Sequence, residues 1–241
     1  MNFESLESLS EYIYEFIIDN TEMGDRGNHL WIHCSYFGSQ LYHPELAKDY
    51  DISVILSGSY ARVFYISKVH KLDITFKGLP CDLKVGAFSD LDKNELMELH
   101  YCIKHKLYAV ADSGSYTMSN ENIITTATNI GLDDRTMIRH AISSKCSNSF
   151  VKAKKKLIVE KDYDRYASMK SLFHSIRIAV FACRFAKDGV INPTECKDLY
   201  EEIKNFYDNH SDEEVLKELT SGKFKNKYNE TMSRFRLYHP K

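Results

Sequence analysis

Apolar residues near the start of the chain recur at three- and four-residue intervals: Leu6, Leu9, Tyr12, Ile13, Phe16 and Ile17. That spacing puts them on one side of a helix, which is predicted over 6–18. A polar, glycine-containing loop follows at 21–28. The pattern then changes period. Over 29–37, Leu30, Ile32 and Cys34 fall on one side and Trp31 and His33 on the other, which predicts a strand. Residues 40–48 read as a short helical or irregular turn, and 50–56 as a second strand rich in β-branched and aromatic residues. Two further strands are predicted at 72–76 and 82–85, joined by the turn Lys77-Gly78-Leu79-Pro80. A helix is predicted over 92–104. Beyond Asp112 strand signals thin out and helical spacing dominates, with helices expected at 132–143, 150–186 (broken once), 193–207 and 213–219. These patterns predict an α+β chain: a small mixed sheet flanked by helices over 1–120, then a helical C-terminal domain over 121–241.

Composition narrows this picture. The 241 residues allow one large domain or two small ones. An apolar fraction of 43% with 27% charged residues fits a folded globular chain. The net charge of −2 excludes a globally basic nucleic-acid coat but not a local basic patch such as the lysine run at 152–156. The six cysteines include no Cys-x-x-Cys pair, which argues against a zinc site and a disulfide framework and fits a reducing, cytoplasmic setting. No apolar run is long enough to span a bilayer, so no membrane partner is expected.

The stretch that carries chemistry is Gly38-Ser39, a ten-residue-scale spacer, and Asp49-Tyr50-Asp51-Ile52-Ser53-Val54. Alternation along a strand puts Asp49 and Asp51 on one face. Neighbouring carboxylates repel unless a cation lies between them, and Mg²⁺ takes one or two carboxylates together with substrate phosphates. Gly38 lets the backbone approach a phosphate closely, and Ser39 adds a hydroxyl. A third carboxylate is expected on a neighbouring strand, where it would ligate the metal nearer the acceptor and help deprotonate an acceptor hydroxyl. Asp82 and Asp73 are the candidates, with Asp82 preferred because its neighbours alternate cleanly. A P-loop and a nucleophile elbow are both absent.

Gly-Ser, a spacer, Asp-x-Asp on a strand and a later strand Asp together resemble the polymerase-β-type nucleotidyltransferase superfamily. The form Asp-Tyr-Asp-Ile is similar to its predicted-nucleotidyltransferase branch, which includes RNA-repair-pathway polymerase-β-like proteins. Downstream, Lys170-Ser-Leu-Phe-His174-Ser-Ile-Arg177 followed by Gly189 resembles a Lys-x3-His-x2-Arg helix of that branch. Glu218-Leu-Thr-Ser-Gly222-Lys-Phe resembles its final helix and turn. The second glycine usual in the branch's spacer is missing from Gln40-Leu-Tyr-His-Pro-Glu. The resemblance implies a two-Mg²⁺ nucleotidyltransferase that uses an NTP, with Asp49, Asp51 and Asp82 as catalytic metal ligands. It implies that Gly38, Ser39, Lys170, His174 and Arg177 bind the nucleotide. Positions 170, 174 and 177 share one helical face, with Arg177 suited to grip phosphate bidentately and Lys170 to act as a point charge. An RNA or tRNA 3′ end is the implied acceptor. The alternatives are a protein or small-molecule acceptor, or a nucleotide-binding module without turnover.

Overall fold

The computed structural model describes residues 3–19, 31–37, 49–57, 70–87, 107–111, 135–188 and 195–239. The chain divides into two units, Met1–Asn129 and Ile130–Lys241. The division falls nine residues past the expected boundary at 120. The expected loop at 21–28, turn at 40–48 and helix at 92–104 lie outside the described residues, as do Gly38 and Ser39.

The first unit is α+β. Helix α1 (Phe3–Asp19) is followed by strands β1 (Trp31–Phe37), β2 (Tyr50–Ser57), β3 (His70–Phe76), β4 (Leu79–Ala87) and β5 (Leu107–Ala111). Among the described residues these form one five-stranded mixed sheet in the order β3-β4-β2-β1-β5. β2 and β4 run parallel, and the other neighbours are antiparallel. Alternation decides which side of each strand is buried. Tyr50, Ile52 and Val54 on β2, Cys81, Leu83 and Val85 on β4, and Ile74 and Phe76 on β3 all enter one core with Cys34. Leu9 and Ile13 of α1 close that core and are fully buried, each worth about 1.5–3 kcal/mol of transfer free energy. Ser10 reaches from α1 to Cys34 through a side-chain hydrogen bond, while burial pushes the Cys34 thiol up to about 12.

The β3–β4 turn is shorter than predicted. Only Lys77 (φ 49°) and Gly78 (φ 81°) lie in it. Both have positive φ, the two-residue geometry whose twist matches the flanking strands. No heavy atom lies within 4 Å of where a Gly78 Cβ would sit, so glycine serves the backbone angle there and not a tight fit. Pro80 belongs to β4, opposite Thr75. Two-residue hairpins alternate bonded and non-bonded pairs from the turn outward, so Pro80 falls at a position that owes β3 no N–H. Pairing with β2 begins one residue later, at Cys81.

The second unit is helical: α2 (Arg135–Ile158), a 3₁₀ turn (Glu160–Asp162), α3 (Arg165–Asp188), α4 (Lys197–Asn209), α5 (Asp212–Thr220) and α6 (Lys223–Tyr238). Two sequence expectations need correction here. The helix predicted to end at 143 continues through Ser144-Lys145-Cys146-Ser147-Asn148-Ser149 into Phe150. Ile138, Ile142, Cys146, Phe150 and Ala153 form one buried stripe, and packing overrides the weak propensity of the serines and asparagine. The single break expected within 150–186 is present and lies at 159–164. The helix predicted from 193 starts at Lys197, after a turn at Glu195–Cys196.

α3 is buried around most of its circumference, from Met169, Leu172 and Phe173 to Ala182 and Phe185. That is the signature of a central helix. Its start is fixed by polar contacts. Ser168 Oγ donates to the Ala153 carbonyl (2.7 Å) and receives the Tyr207 hydroxyl (2.9 Å). Arg165 donates to the carbonyls of Tyr207 and His210 and pairs with Asp212. α5 opens with a capping box in which Ser211 and Glu214 satisfy each other's backbone N–H. At the far end, Arg139 Nη1 donates to the His239 carbonyl (2.7 Å), capping α6.

Candidate functional site

Because even-numbered positions of β2 face the core, the odd-numbered ones face away from it. Asp51 is the register partner of Asp82 across the parallel β2–β4 pair. Asp82 is the register partner of Asp73 across the antiparallel β3–β4 pair. Register partners share a face, so Asp51, Asp82 and Asp73 form a row on the side of the sheet opposite the core. Asp82 and Asp73 are exposed and Asp51 is half-buried. Adjacent strands lie about 4.8 Å apart, which makes Asp82 the immediate neighbour of Asp51 and puts Asp73 one strand further off. Asp49 precedes β2 in a bend and is half-buried.

On the other flank of β2, Phe37 pairs with Asp51. Gly38-Ser39 therefore follows directly on the residue that registers with the second aspartate of the motif. The chain entry to Gly-Ser and Asp51 of the acidic row thus belong to neighbouring strands.

The donor set suits a hard divalent cation: oxygen ligands only, on adjacent strands of a rigid sheet. Among the described residues, no three His, Cys, Asp or Glu side chains converge as a group able to hold a metal by themselves. Asp49, Asp51 and Asp82 thus do not form a closed three-carboxylate cage. A pair of carboxylates completed by phosphate oxygens and water is the arrangement this sheet face can offer, and it is one that Mg²⁺ favours.

The predicted cationic face lies on α3 of the second unit. Lys170 is exposed, with Nζ 5.5 Å from the Tyr166 ring centroid. His174 is half-buried. Arg177 is 2% exposed, and its guanidinium lies over the rings of Phe173 and Phe181. Arg177 Nη2 stands 2.9 Å from His174 Nδ1. A guanidinium only donates, so Nδ1 accepts and the ring proton sits on Nε2. Burial, then the positive charges of Arg177, Lys145, Lys152 and Lys170, hold His174 well below its ordinary value of 6.5. The three residues thus differ in role: Lys170 is open to solvent, and Arg177 and His174 form a neutral-acceptor pair beneath it.

Lys145 and Lys152 were missed as members of this face. They are seven residues apart on α2, a spacing that puts both on one side, and they act electrostatically on His174. The lysine run at 152–156 is partly occupied within the chain. Lys156 and Lys155 both pair with Asp162, at 2.6 and 3.6 Å. Lys154 lies over the Phe150 ring.

Gly222, singled out in the sequence, sits in the turn between α5 and α6. A Cβ there would come within 2.7 Å of the Glu218 Cα and 2.2 Å of its carboxylate, so the close approach of two helix ends demands glycine. Among the described residues, no helix is long and apolar enough to cross a membrane. No protein-family model matches the chain, and no curated protein matches it.

Proposed function

We propose that the protein is a divalent-metal-dependent nucleotidyltransferase that moves a nucleoside monophosphate from an NTP onto an RNA 3′ end. The observation that carries this reading is the register Phe37–Asp51–Asp82. It sets two carboxylates side by side on the open sheet face, next to the strand that leads into Gly38-Ser39. Mg²⁺ bound there would neutralise charge on the triphosphate and on the attacking oxygen. Asp49 and Asp51 would hold the metal, and Gly38 and Ser39 would receive the phosphates through backbone N–H groups and a hydroxyl. Asp82 takes the proton of the acceptor hydroxyl. The hydroxyl oxygen bonds to the α-phosphorus, the bond from that phosphorus to the β-phosphate oxygen breaks, and pyrophosphate leaves. Positioning and charge stabilisation account for the rate, with no covalent enzyme intermediate. On α3, His174 accepts a hydrogen bond from Arg177 and Lys170 stands exposed to solvent.

One observation favours a second reading, in which the acceptor is a protein side chain or a small molecule. Asp162 engages two cations of the lysine run, which weakens the electrostatic attraction that RNA binding relies on.

Label transfer separates these. The protein, Mg²⁺ and each α-³²P-labelled NTP are mixed with total RNA and cell lysate, and products are sorted by nuclease and protease sensitivity. Label in RNA that disappears with Asp51→Asn supports the first reading. Equally mutant-sensitive label in protein or a small product supports the second. Label no higher than in Asp51→Asn with every NTP, while NTP still binds, leaves a nucleotide-binding module and sinks both.

A further inference from the structure

Towards the C-terminal end of α3, that helix and α6 line a cleft of about 220 Å³. Its charge balance is uneven. Arg184, Lys187 and Arg234 line it against a single carboxylate, Glu195. That carboxylate is fully engaged: Arg184 donates to it from both Nε (3.2 and 3.3 Å) and Nη2 (2.9 Å). Arg184 Nη1 also binds Asp188, just outside the cleft, at 2.9 Å. Two acids therefore fix Arg184 and outweigh its charge by one, turning it into a wall. Lys187 and Arg234 are exposed, and among the described residues neither has a carboxylate or hydrogen-bond partner.

The other groups add no negative charge. The Thr231 hydroxyl donates its hydrogen to the Lys227 carbonyl (2.8 Å). Burial pushes the Cys183 thiol up to about 11, so it stays neutral. Tyr238, at the rim, is 37% exposed and offers a ring face. The volume equals that of roughly seven water molecules at about 30 Å³ each. That is room for a phosphate and part of its attached group, below the roughly 300–1,000 Å³ of a pocket for a whole drug-sized ligand.

We infer that this cleft binds a terminal phosphate monoester, with Arg234 and Lys187 as its recognition groups. Arg184, Lys187 and Arg234 against Glu195 and Asp188 sum to +1, but Lys187 and Arg234 are the two cations not held in an ion pair among the described residues, and the dianion of a monoester can engage both at one end. Arg234 supplies a planar fork for two phosphate oxygens and Lys187 a mobile point charge. The monoester belongs to a free nucleotide or to the 5′ end of an RNA. The cleft belongs to the second unit and uses no residue of the acidic row, which belongs to the first, so its failure would leave the transfer reading untouched.

Binding of the full-length protein is measured at low salt with three probes: AMP, a short 5′-phosphorylated oligoribonucleotide, and the same oligonucleotide with a 5′-hydroxyl. Arg234→Gln and Lys187→Gln are the variants, both at exposed positions. Lys197→Gln is the control. The terminal phosphate is expected to raise oligonucleotide affinity at least about tenfold, and Arg234→Gln to erase that gain while Lys197→Gln keeps it. AMP binding that Arg234→Gln abolishes identifies a free nucleotide as the source. Binding confined to the phosphorylated oligonucleotide identifies an RNA end. Equal affinity for the two oligonucleotides without AMP binding, or phosphate-dependent binding that survives both cleft variants, overturns the proposal.

Discussion

Lowering the pH should destabilise the helical unit through His174, and the size of the effect follows from its surroundings. His174 accepts a hydrogen bond from Arg177 and lies in the positive field of Lys145, Lys152 and Lys170. Protonation would remove the acceptor and add a fifth positive charge. Burial first, and then those positive charges, depress the folded-state pKa below the ordinary 6.5. Between those two values the unfolded chain binds the proton and the folded chain does not, so stability falls as pH falls. Above 6.5 neither state binds it and the contribution is flat. At the folded-state value the loss stops. One proton changes stability by at most about 1.4 kcal/mol per pH unit. Going from about pH 8 to about pH 5.5 should thus cost at most roughly 1.4 kcal/mol at this residue.

The readout must distinguish the two units. The single tryptophan, Trp31, lies in β1 and reports the first unit. Among the described residues most of the helix lies in the second unit, so far-UV circular dichroism follows that unit. Urea titrations followed by both probes, on wild type and His174→Gln, isolate the effect. Glutamine keeps an acceptor for Arg177 but cannot titrate. The dichroism midpoint of wild type should fall more steeply below pH 6.5 than that of His174→Gln, with the tryptophan midpoint changing alike in both. Parallel pH profiles for the two proteins by dichroism would refute the reasoning.

Two further outcomes are expected. Gly222→Ala should cost roughly 1–3 kcal/mol by urea denaturation followed by dichroism. Part of that loss should persist in a Glu218→Ala background, because the 2.7 Å contact is to the Glu218 Cα; an unchanged midpoint would mean that the turn adapts freely. In the label-transfer assay, Asp82→Asn should lose on the order of 100-fold or more and Asp73→Asn less than about tenfold, because Asp73 stands one strand further from Asp51. The reverse ranking would make Asp73 the third carboxylate.

Local periodicity announced most elements, from α1 with Leu9 and Ile13 to β2 with Ile52 and Val54. It failed where burial is sparse or where packing overrides propensity. α6 was not foreseen because its sequence is mostly polar. Yet Phe224, Met232 and Phe235 are buried, and with Tyr228 they keep helical spacing. β5 is five residues long and, among the described residues, pairs only with β1, too short for a periodic signal. For the candidate site, spacing along the chain allowed the pairing of Asp49 with Asp51. The choice between Asp82 and Asp73 was not legible, because register between β2 and β4 is a long-range property that passes through an intervening hairpin. The unequal exposure of Lys170, His174 and Arg177 was hidden for a related reason. A helical face is set by spacing, but its burial is set by whichever helix covers it.

The two-residue Lys77-Gly78 turn has a consequence for quality control. Because side chains alternate, a β4 strand displaced by one position would swing Asp82 toward the core. It would also turn Cys81, Leu83 and Val85 out into water. Misplacing the acid and exposing three apolar side chains are then a single event. A mis-registered chain would not persist as a well-folded but inactive molecule. It would present an apolar strand to chaperones and proteases, so the population that survives is the one in which Asp82 stands beside Asp51.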